Sequence, residues 1–259
     1  MSELTAGLLD DFHLVGRRAL VTGANRGLGL AIARGLAAAG ADVVLGVRDP
    51  ASAEDPVSAI RADGGSASSL ELDVTRLDDA RAAIDAATAA RGAFDILINN
   101  AGGGIVGPAI DVTEEEFDAV WTLNLRSALF LSQHTARHMA AGGAIVNVAS
   151  QAGIVALPGE SSYCIAKAAL LHMTRCHAVE WGDRGIRVNA VAPTFIETDG
   201  TAAALSDSAF RDDVVNRIAA LHRIGRPREV AGAVVFLCSS AASLITGHTL
   251  VIDGGWTIR

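Results

Sequence analysis

The stretch that most restricts the fold covers residues 19–40. Ala19-Leu20-Val21-Thr22 is a short continuous apolar run that leads directly into Gly23-Ala24-Asn25-Arg26-Gly27-Leu28-Gly29. Residues 30–39 then have helical composition, and Gly40 suits the position after a helix end. A buried strand, a glycine-rich turn and a helix in that order open a βαβ unit. Glycines in such a turn let the chain reverse sharply, admit a pyrophosphate against the backbone and let helix pack on strand, while the helix N-terminus offers free N–H groups to an anion. Glycine spacing alone is weak, and its place between strand and helix gives it weight.

The rest of the chain continues the alternation. Apolar runs predict strands at 42–47, 68–72, 95–98, 144–149, 187–191 and 248–252, and helical composition covers 53–62, 77–90, 113–139, 163–181, 209–221 and 227–239. The segment 113–139 opens with Thr113 and three glutamates, a strong helix start, and carries Trp121, Asn124 and Phe130 within one predicted helix. Residues 1–17 are mixed and aperiodic and read as a surface arm. No repeat or linker divides the chain, so the expectation is a single α/β domain over residues 1–259: a doubly wound parallel sheet of about seven strands with helices on both faces.

Composition narrows the function classes. A formal charge of −8 argues against nucleic acid or anionic membrane as a partner. Cys164, Cys176 and Cys238 are odd in number, widely spaced and without metal-ligand spacing, which reads as reduced thiols in a cytoplasmic protein. Neither a basic-then-apolar leader nor an uninterrupted membrane span is present. No metal is expected: His134 and His138 stand one turn apart, but without a third ligand in view they read as a helix face.

In sheets of this kind ligands bind beyond the carboxyl ends of the strands. Gly23, Arg48, Asp73, Asn99, Ser150 and Pro193 each follow a predicted strand, so six polar or special residues gather at one edge. The chain also contains a single tyrosine and a single lysine, four residues apart as Tyr163 and Lys167. On a helix that spacing puts phenol and ammonium on one face. A phenol beside a fixed cation is acidified and serves as an acid or base.

These motifs together resemble the short-chain dehydrogenase/reductase family, over essentially the whole chain. Residues 22–29 match its cofactor turn, Asn99-Asn100-Ala101-Gly102 its fourth-strand motif, Ser150 stands thirteen residues before Tyr163, and Tyr163 with Lys167 fills Tyr-x-x-x-Lys. The resemblance implies a Rossmann domain and an NAD(P)-dependent oxidoreductase that interconverts a secondary alcohol and a ketone. It makes Tyr163 the general acid or base and Ser150 the holder of the substrate oxygen. Lys167 would lower the tyrosine pKa and bind the nicotinamide ribose, and Asn124 would complete a water-linked proton relay. Cofactor contacts would come from Gly23, Asn25, Arg26, Gly27, Leu28 and Gly29, from Arg48, Asp73 and Val74, from Asn100, Ala101 and Gly102, from Tyr163 and Lys167, and from Pro193, Ile196 and Thr198. One departure is Thr194, where the family often has glycine.

Arg26 in the turn and Arg48 after the second strand match positions where family members using NADP keep a basic residue, and two guanidiniums suit a 2′-phosphate. NADP(H) is therefore the expected cofactor, with NAD(H) as the other candidate because Asp49 lies at the spacing of a ribose-binding carboxylate. The opening through Gly16 and the ending Gly247–Trp256 are similar to gluconate-type sugar-acid dehydrogenases, which implies a sugar, sugar acid or polyol held by Ser150, Gln151, Glu160 and Tyr163. Alternatives are a 3-oxoacyl-thioester reductase and, from another class, a non-catalytic cofactor-binding regulator. Residues 194–213, polar and weakly periodic, read as a mobile substrate lid. The resemblance also implies a homotetramer, with Trp256 near an interface.

Overall fold

The computed structural model describes residues 7–258, so Arg259 and the first six residues of the expected surface arm lie outside the described residues. The apolar run ahead of the glycine turn is strand β1 (Arg18–Thr22), buried throughout. It is followed by β2 (Asp42–Val47), β3 (Ser66–Glu71), β4 (Ile96–Asn99), β5 (Ala144–Val148), β6 (Arg187–Pro193) and β7 (Thr249–Ile252). All pair in parallel as one seven-stranded sheet of order β3-β2-β1-β4-β5-β6-β7. The order reverses between β1 and β4, which leaves a crevice beyond their carboxyl ends where a ligand fits.

Period-two alternation sorts the strand residues onto two faces. Ala19, Val21, Val43, Leu45, Ile98 and Val146 pack on one side against Ile32 and Leu36 of α1 (Gly27–Ala38) and Val230 and Val234 of α9 (Pro227–Cys238). Leu20, Val44, Leu97 and Ile145 pack on the other against Ile84 of α3 (Leu77–Arg91), Leu131 of α5 (Ser127–His138) and Ala178 of α6 (Ser161–Trp181). Because both faces are covered, the central strands read as continuous apolar runs. The edge strand β3 is more open, with only Ala67 buried. It starts two residues earlier than expected because Ser66 pairs with Asp42 and the ladder runs on to Val47 opposite Glu71.

Two expectations need correction. The single helix over 113–139 is α4 (Glu114–Trp121), a π-turn at Thr122–Arg126 and then α5. The expected helix start at Thr113 is a capping box: the Glu116 N–H donates to the Thr113 hydroxyl and the Thr113 N–H to the Glu116 carboxylate, both at 3.2 Å. The break sits at Asn124, whose side-chain amide donates to the carbonyls of Val120 at 2.8 Å and Gly103 at 2.7 Å. The region 194–213 is not loose. It folds as α7 (Asp199–Leu205) and the start of α8 (Ser208–Arg217), over a small core of Leu205, Val214, Ile218 and Ile224 backed by Phe195 and Trp256. At seven residues, with Gly200 in its first turn, α7 is too short to show a helical period, and α8 stops at Arg217 rather than continuing to Leu221.

A buried polar chain ties the catalytic-side helices to the sheet. Asn99 Nδ2 donates to Ser132 Oγ and to Asn147 Oδ1, both at 2.8 Å. Asn147 Nδ2 donates to Thr174 Oγ1 at 2.9 Å, and Thr174 Oγ1 donates to the Leu170 carbonyl at 2.9 Å. β4, α5, β5 and α6 are thereby joined side chain to side chain in a solvent-free setting where a lost partner is costly. Asn147→Ala is expected to lower stability by about 1–3 kcal/mol with an unchanged m-value; denaturant unfolding checks it, and an unaffected midpoint would show that the chain of bonds carries no net stability.

Candidate active site

The crevice is a cleft of about 1510 Å³ along the carboxyl edge of the sheet. Its glycine turn is shaped by backbone need: Gly23 and Gly27 have φ of +64° and +55°, in the left-handed region. A methyl group on Gly29 would overlap the Gly23 carbonyl oxygen. The bare turn thus leaves the N-terminus of α1 open to an anion. Opposite it, Thr22 Oγ1 accepts from the N–H groups of Asn100 and Ala101, both at 3.0 Å, and Asn100 Nδ2 donates to the Thr22 carbonyl at 2.9 Å. These bonds lock the end of β1 to the end of β4. The cradle presents bare backbone to the cleft at Gly23, Gly27 and Gly29, which suits the pyrophosphate of a nucleotide.

Every cofactor and substrate residue expected from sequence lines this cleft, from Gly23 round to Arg48, Asp73, Ser150, Tyr163, Pro193 and Thr198. Asn124 stands behind the wall, and so does Asn99, which follows β4's apolar run but is buried against Ser132 and Asn147. Asn124 Oδ1 accepts from the Gly103 N–H at 3.2 Å and its amide donates to the Gly103 and Val120 carbonyls, so the side chain is engaged in holding the glycine loop to the helix. Gln151 is in the lining but only 1% exposed, with its Oε1 unpartnered among the described residues. Sequence reading missed the groups with no motif: the Val148 carbonyl, the bare Gly103-Gly104 loop, Asp118 on α4, and Phe195 and Phe210 on the α7–α8 side. The run of three glycines after Ala101 was the one available signal for the loop.

Tyr163 and Lys167 do share one face of α6. The Lys167 ammonium lies 5.4 Å from the Tyr163 ring centre and donates to the Val148 carbonyl at 2.9 Å. Burial pulls the Lys167 pKa down to about 8. The Tyr163 pKa is pushed up to about 12, first by burial and further by the charges of Glu160 and Cys164, against a Ser150 hydrogen bond that favours the phenolate. In the protein alone Lys167, whose ammonium faces the Val148 carbonyl, does not offset the burial of the phenol. Ser150 caps the turn at Gln151–Gly153 by accepting from the Ala152 N–H at 3.1 Å, which fixes its hydroxyl at the cleft floor. Burial raises the Glu160 pKa as well.

At the other end, Arg26 precedes α1 and Arg48 follows β2. Neither forms an ion pair among the described residues; Asp49 instead caps the next turn, Oδ1 accepting from the Ala51 N–H at 3.0 Å. Burial raises the pKa of Asp73, but hydrogen bonds from Thr75 and the charges of Arg48 and Arg76 outweigh it and leave the pKa lowered. The cysteines are free; Cys238 is buried, its thiol pushed up to about 12 by burial, and is no nucleophile. The histidine pair does have a third neighbour: Asp85 Oδ1 lies 2.7 Å from His134 Nε2 and 3.6 Å from His138 Nε2. All three residues lie outside the cleft.

This constellation offers an anion cradle, a hydroxyl and a phenol converging on one point, and a buried cation beneath them. A family profile described as enoyl-(acyl carrier protein) reductase matches residues 23–257. The chain is 39% identical to gluconate 5-dehydrogenase of Gluconobacter oxydans over 251 residues, covering 96% of this chain and 98% of that protein. It is 38% identical to D-threitol dehydrogenase of Mycolicibacterium smegmatis, covering 96% of each. The structure of a gluconate 5-dehydrogenase from Burkholderia cenocepacia in complex with NADP and tartrate superposes with a TM-score of 0.93 at 38% identity, covering 97% of this chain and 99% of that one. The chain belongs to the short-chain dehydrogenase/reductase family, and it is an oxidoreductase of the alcohol–ketone kind.

Lys167 has a measurable consequence. Between pH 8 and 10.5 the unfolded chain holds a proton on this amine that the folded chain has released, so the folded state gains stability as pH rises through that window. The stability of the native protein relative to Lys167→Met should therefore increase by roughly 3 kcal/mol from pH 8 to 10.5. Unfolding titrations of both proteins test this, and a difference that does not change with pH would refute the depressed pKa.

Proposed function

We propose that the protein interconverts a secondary alcohol and a ketone on a sugar, sugar acid or polyol, with NADP(H) as the preferred carrier and NAD(H) as the lesser one. The observation that carries this reading is the convergence of Ser150 and Tyr163 on one point of the cleft floor, above Lys167. The glycine turn at residues 23–29 would hold the pyrophosphate of a nicotinamide cofactor, which would supply or accept the hydride. Tyr163 gives a proton to, or takes it from, the substrate oxygen, and Ser150 donates a hydrogen bond to that same oxygen as negative charge develops. Lys167 would hold the ribose hydroxyls and lower the cost of the phenolate, and Asn124 would complete a water-linked relay that passes the proton outward. Asn25, Leu28, Val74, Ala101 and Ile196 complete the cofactor wall, while Gln151 and Glu160 border the substrate.

Tyr163→Phe keeps the ring and removes the proton. Turnover is expected to fall by about 10²–10⁴-fold while NADPH still binds, as followed by fluorescence; unimpaired turnover would sink the mechanism.

NADP preference rests on Arg26 and Arg48 being free of ion pairs among the described residues, while Asp49 is engaged as a cap. Arg48→Ala should raise the KM for NADP by roughly tenfold and leave that for NAD within about twofold. Steady-state kinetics with both cofactors decide it, and an equal effect on the two would contradict the assignment.

Residues 194–213 act as the lid in this proposal, closing over substrate as α7 and α8 move on their small core. A homotetramer and a cytoplasmic location belong to the same reading. The second is supported by free thiols at Cys164 and Cys176, and no helix among the described residues is long and apolar enough to cross a membrane. A non-catalytic regulator would have no chemical reason to keep Ser150, Tyr163 and Lys167 converged.

A further inference from the structure

We infer that the molecule transformed in this cleft is uncharged, a polyol or neutral sugar rather than a sugar acid. The inference rests on the reading of the cleft as a hydride-transfer site and concerns only the charge of what enters it. The cations in the lining are Arg26, Arg48 and Lys167. The first two stand at the glycine turn and the end of β2, at the cofactor end, and Lys167 lies beneath Tyr163 with its ammonium on the Val148 carbonyl. None of them faces the space beside Tyr163 that a substrate's remaining carbons would occupy.

Among the described residues, no other element brings a cation there. The loop over Tyr163 runs Gly102-Gly103-Gly104-Ile105-Val106-Gly107. It packs backbone against the ring so closely that a methyl on Gly104 would lie 3.3 Å from both Tyr163 Cβ and Cγ. The lid presents Phe195, Thr198, Thr201 and Phe210; its Arg211 pairs with Glu197 at 3.5 Å and is not in the lining. None of the seven histidines lines the cleft. What the substrate end does carry is acid: Asp118 and Glu160 in the cleft, with Asp111 and Glu116 around the hollow of about 100 Å³ on the far side of Val106.

A carboxylate leaving water for this space would lose its hydration, find no cation and meet like charges. Hydroxyls would meet neutral partners, the Ser150 and Thr194 hydroxyls among them, and Thr194 Oγ1 has no hydrogen-bond partner among the described residues. The acidic wall therefore works as repulsion against one class of substrate while being indifferent to the other.

Matched pairs that differ only in the end group test this: glucitol against gluconate and threitol against threonate, each with NADP⁺ and NAD⁺. The alditol is expected to show a kcat/KM at least about tenfold above its aldonate. Glu160→Gln should move that ratio several-fold toward the acid, chiefly through KM. An aldonate oxidised as well as its alditol overturns the inference and leaves the proposed reaction standing. No oxidation of any of the four, and no reduction of the corresponding ketones, removes the proposed reaction and this inference together.

Discussion

A lysine ammonium buried at the carboxyl edge of a parallel sheet is the costliest group in this structure, and the surroundings are arranged to hold it. Lys167 is 4% exposed and has one hydrogen bond, to the Val148 carbonyl at the end of β5. Such a cation is tolerated only where its position is fixed and oxygen acceptors are near. The fixing comes from below. α6 is tied to β5 and β4 by the Thr174, Asn147 and Asn99 chain, and the Gly153 backbone lies so close to the Lys167 main chain that an added methyl would come within 2.8 Å of its carbonyl. The same constraint sets Tyr163 one turn earlier, over the glycine loop.

The state of the phenol follows from that placement. Burial raises the tyrosine and depresses the lysine, so in the protein alone the proton stays on Tyr163 and the lysine is close to losing its own. In the proposed reaction the ammonium turns from Val148 toward a bound ribose, and the phenol becomes able to give up its proton only with the cofactor in place. Cofactor binding and acid–base competence would then be one event, which keeps the proton transfer coupled to the hydride.

Much of this was legible in the chain because it is written in local pattern. The central strands appear as apolar runs because both sheet faces are covered, and the glycine turn, Asn100, Ser150, Tyr163 and Lys167 carry their meaning in spacing. What was hidden depends on partners distant in sequence. The π-turn at Thr122–Arg126 exists because Asn124 is held by Gly103, on a different loop. α7 was unreadable because its seven residues show no helical period, and Asp85 reaches His134 across 49 residues. The rise in the Tyr163 pKa could not be read from Tyr-x-x-x-Lys, since the motif gives the neighbour's charge but not the burial that overrides it.

Tyr163 is the chain's sole tyrosine, so phenolate absorbance reports it without interference from another phenol. Titrated in the free protein, the account predicts no phenolate at pH 10, where an exposed tyrosine is half ionised, and a midpoint near 12. With saturating NADP⁺ the midpoint should fall by several pH units as Lys167 comes to favour the charged phenol. An ordinary midpoint in the free protein that cofactor leaves unmoved would contradict the coupling of cofactor, lysine and phenol on which the proposed chemistry depends.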